Sequence, residues 1–222
     1  MTQIKICGIK RAETLALLKE LEVDYVGLVF APSKRKVDAG TAKSLLTAVS
    51  NHPPAVGVFV NPSMEELEEL LAEVPLSVIQ LHGQESPVFC QAVQERFSLP
   101  VWKALAVGGE SDAAREIARY EGKVEAFLFD TYDPSMAGGT GKRFSWEQIP
   151  DLQESCKNSA CVIAGGINTD NVAELVSHYQ PNVIDISSGV ETDGEKDADK
   201  IKTLVERVRA NEHAADNYAS RA

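Results

Sequence analysis

The sequence predicts an α/β protein built as one closed (β/α)8 (TIM) barrel, and three observations carry that prediction. Eight short apolar runs alternate with eight amphipathic stretches of helix length, the pattern of successive βαβ units around a parallel sheet. No composition break divides the 222 residues, a length that suits one barrel and favours closure over an open doubly wound sheet. Three glycine-rich segments, GGTGK at 138–142, AGGI at 164–167 and SSGV at 187–190, each follow an apolar run in the second half. Glycine lets backbone approach a ligand closely, and bare N–H groups bind anions. In this fold the loops after the last strands are the usual phosphate grip, so a phosphate site is expected at the loops after strands six, seven and eight.

The elements follow in order. Strands are expected at 3–7 (QIKIC), 25–30 (YVGLVF), 55–60 (AVGVFV), 77–82 (SVIQLH), 100–105 (PVWKAL), 125–130 (EAFLFD), 160–164 (ACVIA) and 182–187 (NVIDIS). Helices are expected at 12–21, 41–50, 63–74, 87–97, 111–120, 145–156, 169–178 and 197–210. The barrel domain then spans 1–211, and the polar stretch 212–222 reads as a disordered tail.

Side-chain parity places the chemistry. Successive strand residues face opposite sides, and the side under the helices must be apolar. Ile4 and Ile6 outward turn Lys5 and Cys7 inward; Ile79 and Leu81 outward turn Gln80 and His82 inward. Phe127 and Phe129 outward turn Asp130 inward, and Ile184 and Ile186 outward do the same for Asp185. Cys7, His82, Asp130 and Asp185 therefore converge at the C-terminal mouth, where the active sites of such barrels sit.

Composition narrows the partners. A net charge of −11 opposes broad attraction to nucleic acid or an anionic membrane, while a small anion can still bind through local donors. No signal peptide or membrane-length apolar run is visible, so a cytoplasmic location is expected. The four cysteines, Cys7, Cys90, Cys156 and Cys161, read as reduced thiols. Neither they nor the scattered histidines have metal-ligand spacing, so no metal is expected. The partner is a phosphorylated small molecule, and the protein itself a monomer or homodimer.

Individual residues admit more than one role. A thiolate at Cys7 could act as nucleophile or as proton-abstracting base, whereas a lone cysteine is otherwise a small buried hydrophobe. Asp130 closes an apolar strand and suits an acid or base, or a cap for the next loop. Asp185 could serve the site or order the adjacent serines. Arg35 in APSKRKV could fork onto a carboxylate or phosphate, with Lys34 and Lys36 as solvated neighbours. His82 could orient or neutralise a substrate group, or be structural.

Taken together, these segments resemble the phosphoribosylanthranilate isomerase family, the Amadori isomerases of tryptophan biosynthesis. The resemblance runs through KICGI at 5–9, GLVF with SKR at 27–35, VGVFVN at 56–61, IQLHG at 79–83, LFDT at 128–131, GGTGKRFSW at 138–146, AGGIN at 164–168 and DISSGVE at 185–191. It implies Cys7 as general base, Asp130 as general acid, Arg35 against the substrate's anthranilate carboxylate, His82 at the substrate and Asp185 near its amine. Phosphate ligands would be backbone N–H groups around Gly141, Gly165, Gly166, Ser188 and Gly189. The implied chemistry involves neither redox change nor hydrolysis, so no cofactor is expected. Lys36 stands where the family usually has an aromatic residue, and Ser145 where Asp or Asn is common; both concern loop packing. Two rivals share parts of the pattern. Indole-glycerol-phosphate synthase and histidine-pathway isomerases have the phosphate loops but pair lysines or two aspartates in place of Cys7 and Asp130. A silent phosphate-ligand binder would have no use for an inward thiol and carboxylate.

Overall fold

The computed structural model describes residues 1–107, 113–131, 144–156 and 158–219, with side chains as far as residue 210. Eight parallel strands close into a barrel in chain order, β1 pairing with both β2 and β8. They are β1 (Gln3–Cys7), β2 (Tyr25–Val29), β3 (Ala55–Phe59), β4 (Val78–Leu81), β5 (Val101–Val107), β6 (Ala126–Thr131), β7 (Ala160–Ile163) and β8 (Val183–Ile186). Helices α1 (Ala12–Glu20), α2 (Ala39–Ala48), α3 (Met64–Glu73), α4 (Pro87–Phe97), α5 (Ala113–Tyr120), α6 (Ile149–Ser155), α7 (Val172–Tyr179) and α8 (Ala198–Ala219) intervene. The predicted barrel is therefore the observed one.

Helix starts explain several boundary differences, while the largest lies at a helix end: α8 continues past the expected 210 to Ala219, into the stretch read as a tail. Asp38 accepts a hydrogen bond from the Thr41 amide, so α2 begins two residues before the expected 41. Ser63 and Glu66 form a reciprocal capping box on α3, satisfying two amides that helix geometry leaves unpaired. Pro150 lies in the first turn of α6, preceded by a 3-10 turn at Trp146–Gln148; the single helix expected at 145–156 is thus divided. One feature was not anticipated: a two-stranded hairpin, β9 (Glu191–Thr192) and β10 (Glu195–Lys196), inserted between β8 and α8.

Parity separates two cores. Ile4, Ile6, Ile79, Leu81, Phe127, Phe129, Ile184 and Ile186 pack under the helices. Val56, Val78, Trp102, Ala104, Ala126, Leu128, Val162 and Val183 fill the barrel interior, a packed plug rather than a pore. Above that plug, Cys7, Val29, Ala31 and Val58 make a smaller apolar patch. The plug thus forms a floor, and polar inward residues above it are held at the mouth.

Candidate active site

A cavity of about 280 Å³ opens at the C-terminal ends of the strands. Its lining includes Cys7, Arg35, Gln80, His82, Asp130 and Asp185, together with Gly165, Gly166, Ser188 and Gly189. Every site residue expected from the sequence lines this one cavity except Gly141, which lies outside the described residues along with the rest of GGTGK.

Strand register assembles the thiol's surroundings. Lys5 is the register partner of Asp185 across β1 and β8, and both point inward. Their ion pair closes at 2.7 Å, with the Lys5 side chain wholly shielded from solvent. Burial works against the Lys5 charge, but Asp185 and the neighbouring Cys7 outweigh it and hold the ammonium above its ordinary range. The second Asp185 oxygen, Oδ1, is buried with no hydrogen-bond partner among the described residues. A buried acceptor without a donor costs free energy, so a substrate donor at that point would relieve it. Burial pushes the Cys7 thiol above its ordinary value, opposed by the positive charges of Lys5 and Lys196. Burial of the free protein's Cys7 thus favours the neutral thiol over the thiolate.

Across the cavity, β6 carries Asp130 to the mouth. Its Oδ1 accepts from the Thr131 amide at 2.8 Å, leaving Oδ2 3.6 Å from His82 Nε2. Gln80 Nε2 lies 3.2 Å from His82 Nδ1. An amide nitrogen can only donate, so Nδ1 accepts and the imidazole carries its hydrogen on Nε2, facing Asp130. Gln80 was expected only to face inward; its part in orienting His82 follows from the geometry.

The loops after β7 and β8 form one wall. Gly165 has φ +79°, a left-handed conformation that glycine adopts without penalty. Gly189 lies so near the Ile167 carbonyl that a Cβ would overlap it. A 3-10 turn at Ser188–Val190 follows β8.

Arg35 also lies at the rim, but its guanidinium is already engaged: Nε and Nη2 donate to the two Glu191 oxygens at 2.7 and 2.8 Å. Lys34 and Lys36 are exposed. Glu191 and Lys196, both on the unanticipated hairpin, are charged groups the sequence reading did not select. Asp193–Gly194, both with positive φ, is the Asp-Gly hairpin signal that could have exposed them. Among the described residues no group of three or more His, Cys, Asp or Glu side chains could hold a metal ion.

A thiol, a carboxyl and an imidazole thus meet at one apolar-floored mouth of a (β/α)8 barrel, the place where enzymes of this fold carry their active sites. Comparison with known proteins makes the class specific. Residues 4–207 match the family model for N-(5'-phosphoribosyl)anthranilate isomerase, and the chain belongs to that family, whose members are Amadori-type isomerases. It is 74% identical to the N-(5'-phosphoribosyl)anthranilate isomerase of Brevibacillus brevis, over 100% of both chains. Identity to the Bacillus subtilis isomerase is 38%, covering 92% of this chain and 94% of that one. Among solved structures, the phosphoribosyl anthranilate isomerase of Thermotoga maritima superposes with a TM-score of 0.83 at 33% identity, covering 95% of this chain and 100% of the other. A further structure of such an isomerase, in complex with reduced 1-(o-carboxyphenylamino)-1-deoxyribulose 5-phosphate, gives 0.81 at 32% identity, with 95% and 100% coverage. Within the described residues no helix is long and apolar enough to cross a membrane.

Proposed function

We propose that this chain converts N-(5'-phosphoribosyl)anthranilate to 1-(2-carboxyphenylamino)-1-deoxyribulose 5-phosphate in tryptophan biosynthesis, with Asp130 as general acid and Cys7 as general base. The observation that carries the reading is the meeting of Cys7 and Asp130 in one cavity, walled on one side by the glycine loops after β7 and β8.

The protonated carboxyl of Asp130 gives its hydrogen to the ring oxygen as the bond from that oxygen to the first sugar carbon breaks. The anthranilate nitrogen supplies the electron pair, leaving an iminium cation and an open chain. That cation acidifies the hydrogen on the second carbon. It also adds to Lys5 and Lys196 as a positive charge favouring ionisation of Cys7, against the burial that favours the neutral thiol in the free protein. The thiol proton leaves to solvent at the open mouth, and the thiolate removes the hydrogen from the second carbon. The electrons of that C–H bond form a carbon–carbon double bond while the iminium pair returns to nitrogen, giving an enolamine. Asp130 regains a proton from solvent. Transfer of the enol hydrogen to the first carbon completes the aminoketose.

Asp185 Oδ1, a buried acceptor without a donor among the described residues, suits the substrate's N–H. The imidazole Nε2–H of His82 steadies Asp130 once it has lost its proton. Backbone amides around Gly165, Gly166, Ser188 and Gly189 suit the phosphate, and Gly141 would add a third loop. Arg35 suits the aromatic carboxylate. Four free thiols accord with work in the cytoplasm.

The test is turnover. Purified protein mixed with phosphoribosylanthranilate should abolish the substrate's fluorescence at a rate proportional to protein concentration. No decay, in protein shown to be folded, would overturn the assignment.

A further inference from the structure

We propose that Glu191 is a positioning residue: it turns the Arg35 guanidinium so that one edge faces the pocket, and thereby sets the selectivity for an aromatic carboxylate. The proposal rests on the reading of Arg35 given above.

A guanidinium carries five N–H donors along two usable edges. Glu191 occupies the side edge, through Nε and Nη2. The end edge, comprising Nη1 and the second hydrogen of Nη2, remains for another carboxylate in the same forked manner. Arg35 contributes to the cavity lining whereas Glu191 does not. One carboxylate thus grips the arginine from behind while the other edge serves the ligand.

Glu191 is itself fixed. Lys196 Nζ donates to its Oε1 at 2.7 Å and to the Ser187 carbonyl at 2.8 Å. Lys200 Nζ donates to the Glu191 carbonyl at 2.7 Å. The side chains of Glu191 and Lys196 are only 9% and 5% exposed, so neither is a loose surface charge. Burial opposes the Glu191 charge, yet its hydrogen bonds to Arg35 and Lys196 hold the carboxyl below its ordinary range. Two cations, Arg35 and Lys196, share the Glu191 carboxylate, so these three side chains together keep a net positive charge for an incoming carboxylate. Lys196 also ties the cluster to the Ser187 carbonyl, next to the Ser188–Gly189 wall.

The experiment compares phosphoribosylanthranilate with its aniline analogue, which lacks the carboxylate. Wild-type protein should favour the former, and Arg35→Met should abolish that preference. Glu191→Gln cannot accept both Arg35 hydrogens, so KM for phosphoribosylanthranilate should rise roughly tenfold, the weight of one charge-assisted hydrogen bond. The analogue's KM and the protection by inorganic phosphate should stay unchanged. Glu191→Asp keeps the charge but withdraws it by one methylene, and should show the same selective loss should the glutamine variant fold poorly. Equal losses for both substrates would make Glu191 a structural support and overturn the proposal, as would an unchanged preference in both variants. If Arg35→Met itself left the preference intact, the assignment of Arg35 would fail first, and the role of Glu191 with it.

Discussion

Among the described residues, Lys5 and Lys103 are both wholly buried and each is paired with a carboxylate, but in different settings. Lys103 lies between the inward residues Trp102 and Ala104 on β5 and so faces the helix layer. Its Nζ donates to Glu85 at 3.0 Å and to the carbonyls of Leu81, Gly83 and Ala104. Glu85 in turn accepts from the Asn61 and Gly83 amides, and Tyr120 donates to the Glu85 carbonyl. The charge is surrounded by partners and stitches the loops after β3 and β4 together. Lys5, inside the barrel, has Asp185 at 2.7 Å, and that aspartate retains a buried oxygen with no donor among the described residues. A saturated buried pair has nothing left to offer a ligand. An unsaturated one at a cavity wall does.

Removing the chemistry at the unsaturated side should have the largest effect. Cys7→Ser and Asp130→Asn should each lower kcat by roughly 10²–10⁴-fold, the usual range for a lost general acid or base, with melting temperatures near wild type. A wild-type kcat in either variant would remove that residue from the mechanism. Next comes the lysine contrast itself. Lys103→Met strands Glu85 among buried groups, and breaking such a pair costs about 3–5 kcal/mol, a fall in Tm of roughly 10 °C. The protein that remains folded should turn over normally. Lys5→Met should add a loss that the other variant lacks: kcat drops at least ~10-fold, from the loss of a charged hydrogen-bonding group beside the thiol. This comes on top of a comparable thermal shift, because it too strands a buried carboxylate. Similar profiles for the two variants would erase the distinction.

Smaller effects sharpen the picture. Gly166 has φ +66°, so Gly166→Val combines a strained backbone with added bulk at the wall. Saturating inorganic phosphate should raise the Tm of the wild type by linkage and that of this variant by less; equal protection would move the phosphate elsewhere. The smallest change is one of pH. Only a thiolate reacts with iodoacetamide, and the Cys7 thiol is held above its ordinary value. Its alkylation, mapped by peptide mass, should be slow at pH 7 and still be rising beyond about 8.5, the usual thiol midpoint. Lys5→Met removes a charge that favours ionisation, so its curve should shift to still higher pH. A rate already at its plateau at pH 7 would contradict the environment described for Cys7.

The barrel and most of its mouth were legible in the sequence because strand parity is a local property. Ile4 and Ile6 under the helices oblige Cys7 to face inward, and the same reasoning placed His82, Asp130 and Asp185. What escaped depends on distance along the chain. Nothing local to APSKR shows that Arg35 will meet Glu191, 156 positions away, and the lysine in VWKALAV does not disclose Glu85 as its partner. The β9–β10 hairpin was missed for another reason: strands of two residues have no period to detect, and only the Asp193–Gly194 turn marks them. Gln80 was seen to face inward, but its hold on His82 needed coordinates.

The close fit of Gly189 against the Ile167 carbonyl has a consequence for how the chain comes together. The loops after β7 and β8 mould one another, and β8 is also the strand that closes the ring against β1. The wall they make together therefore needs β8 in place in the ring, and with it residues 183–189 near the end of the chain. A molecule that lodges between those loops can favour only the completed chain, by mass action. Shorter nascent or clipped species gain nothing from it. Cellular supply of the ligand would thus select finished barrels over unfinished ones, and its release would return each barrel to the stability it has alone.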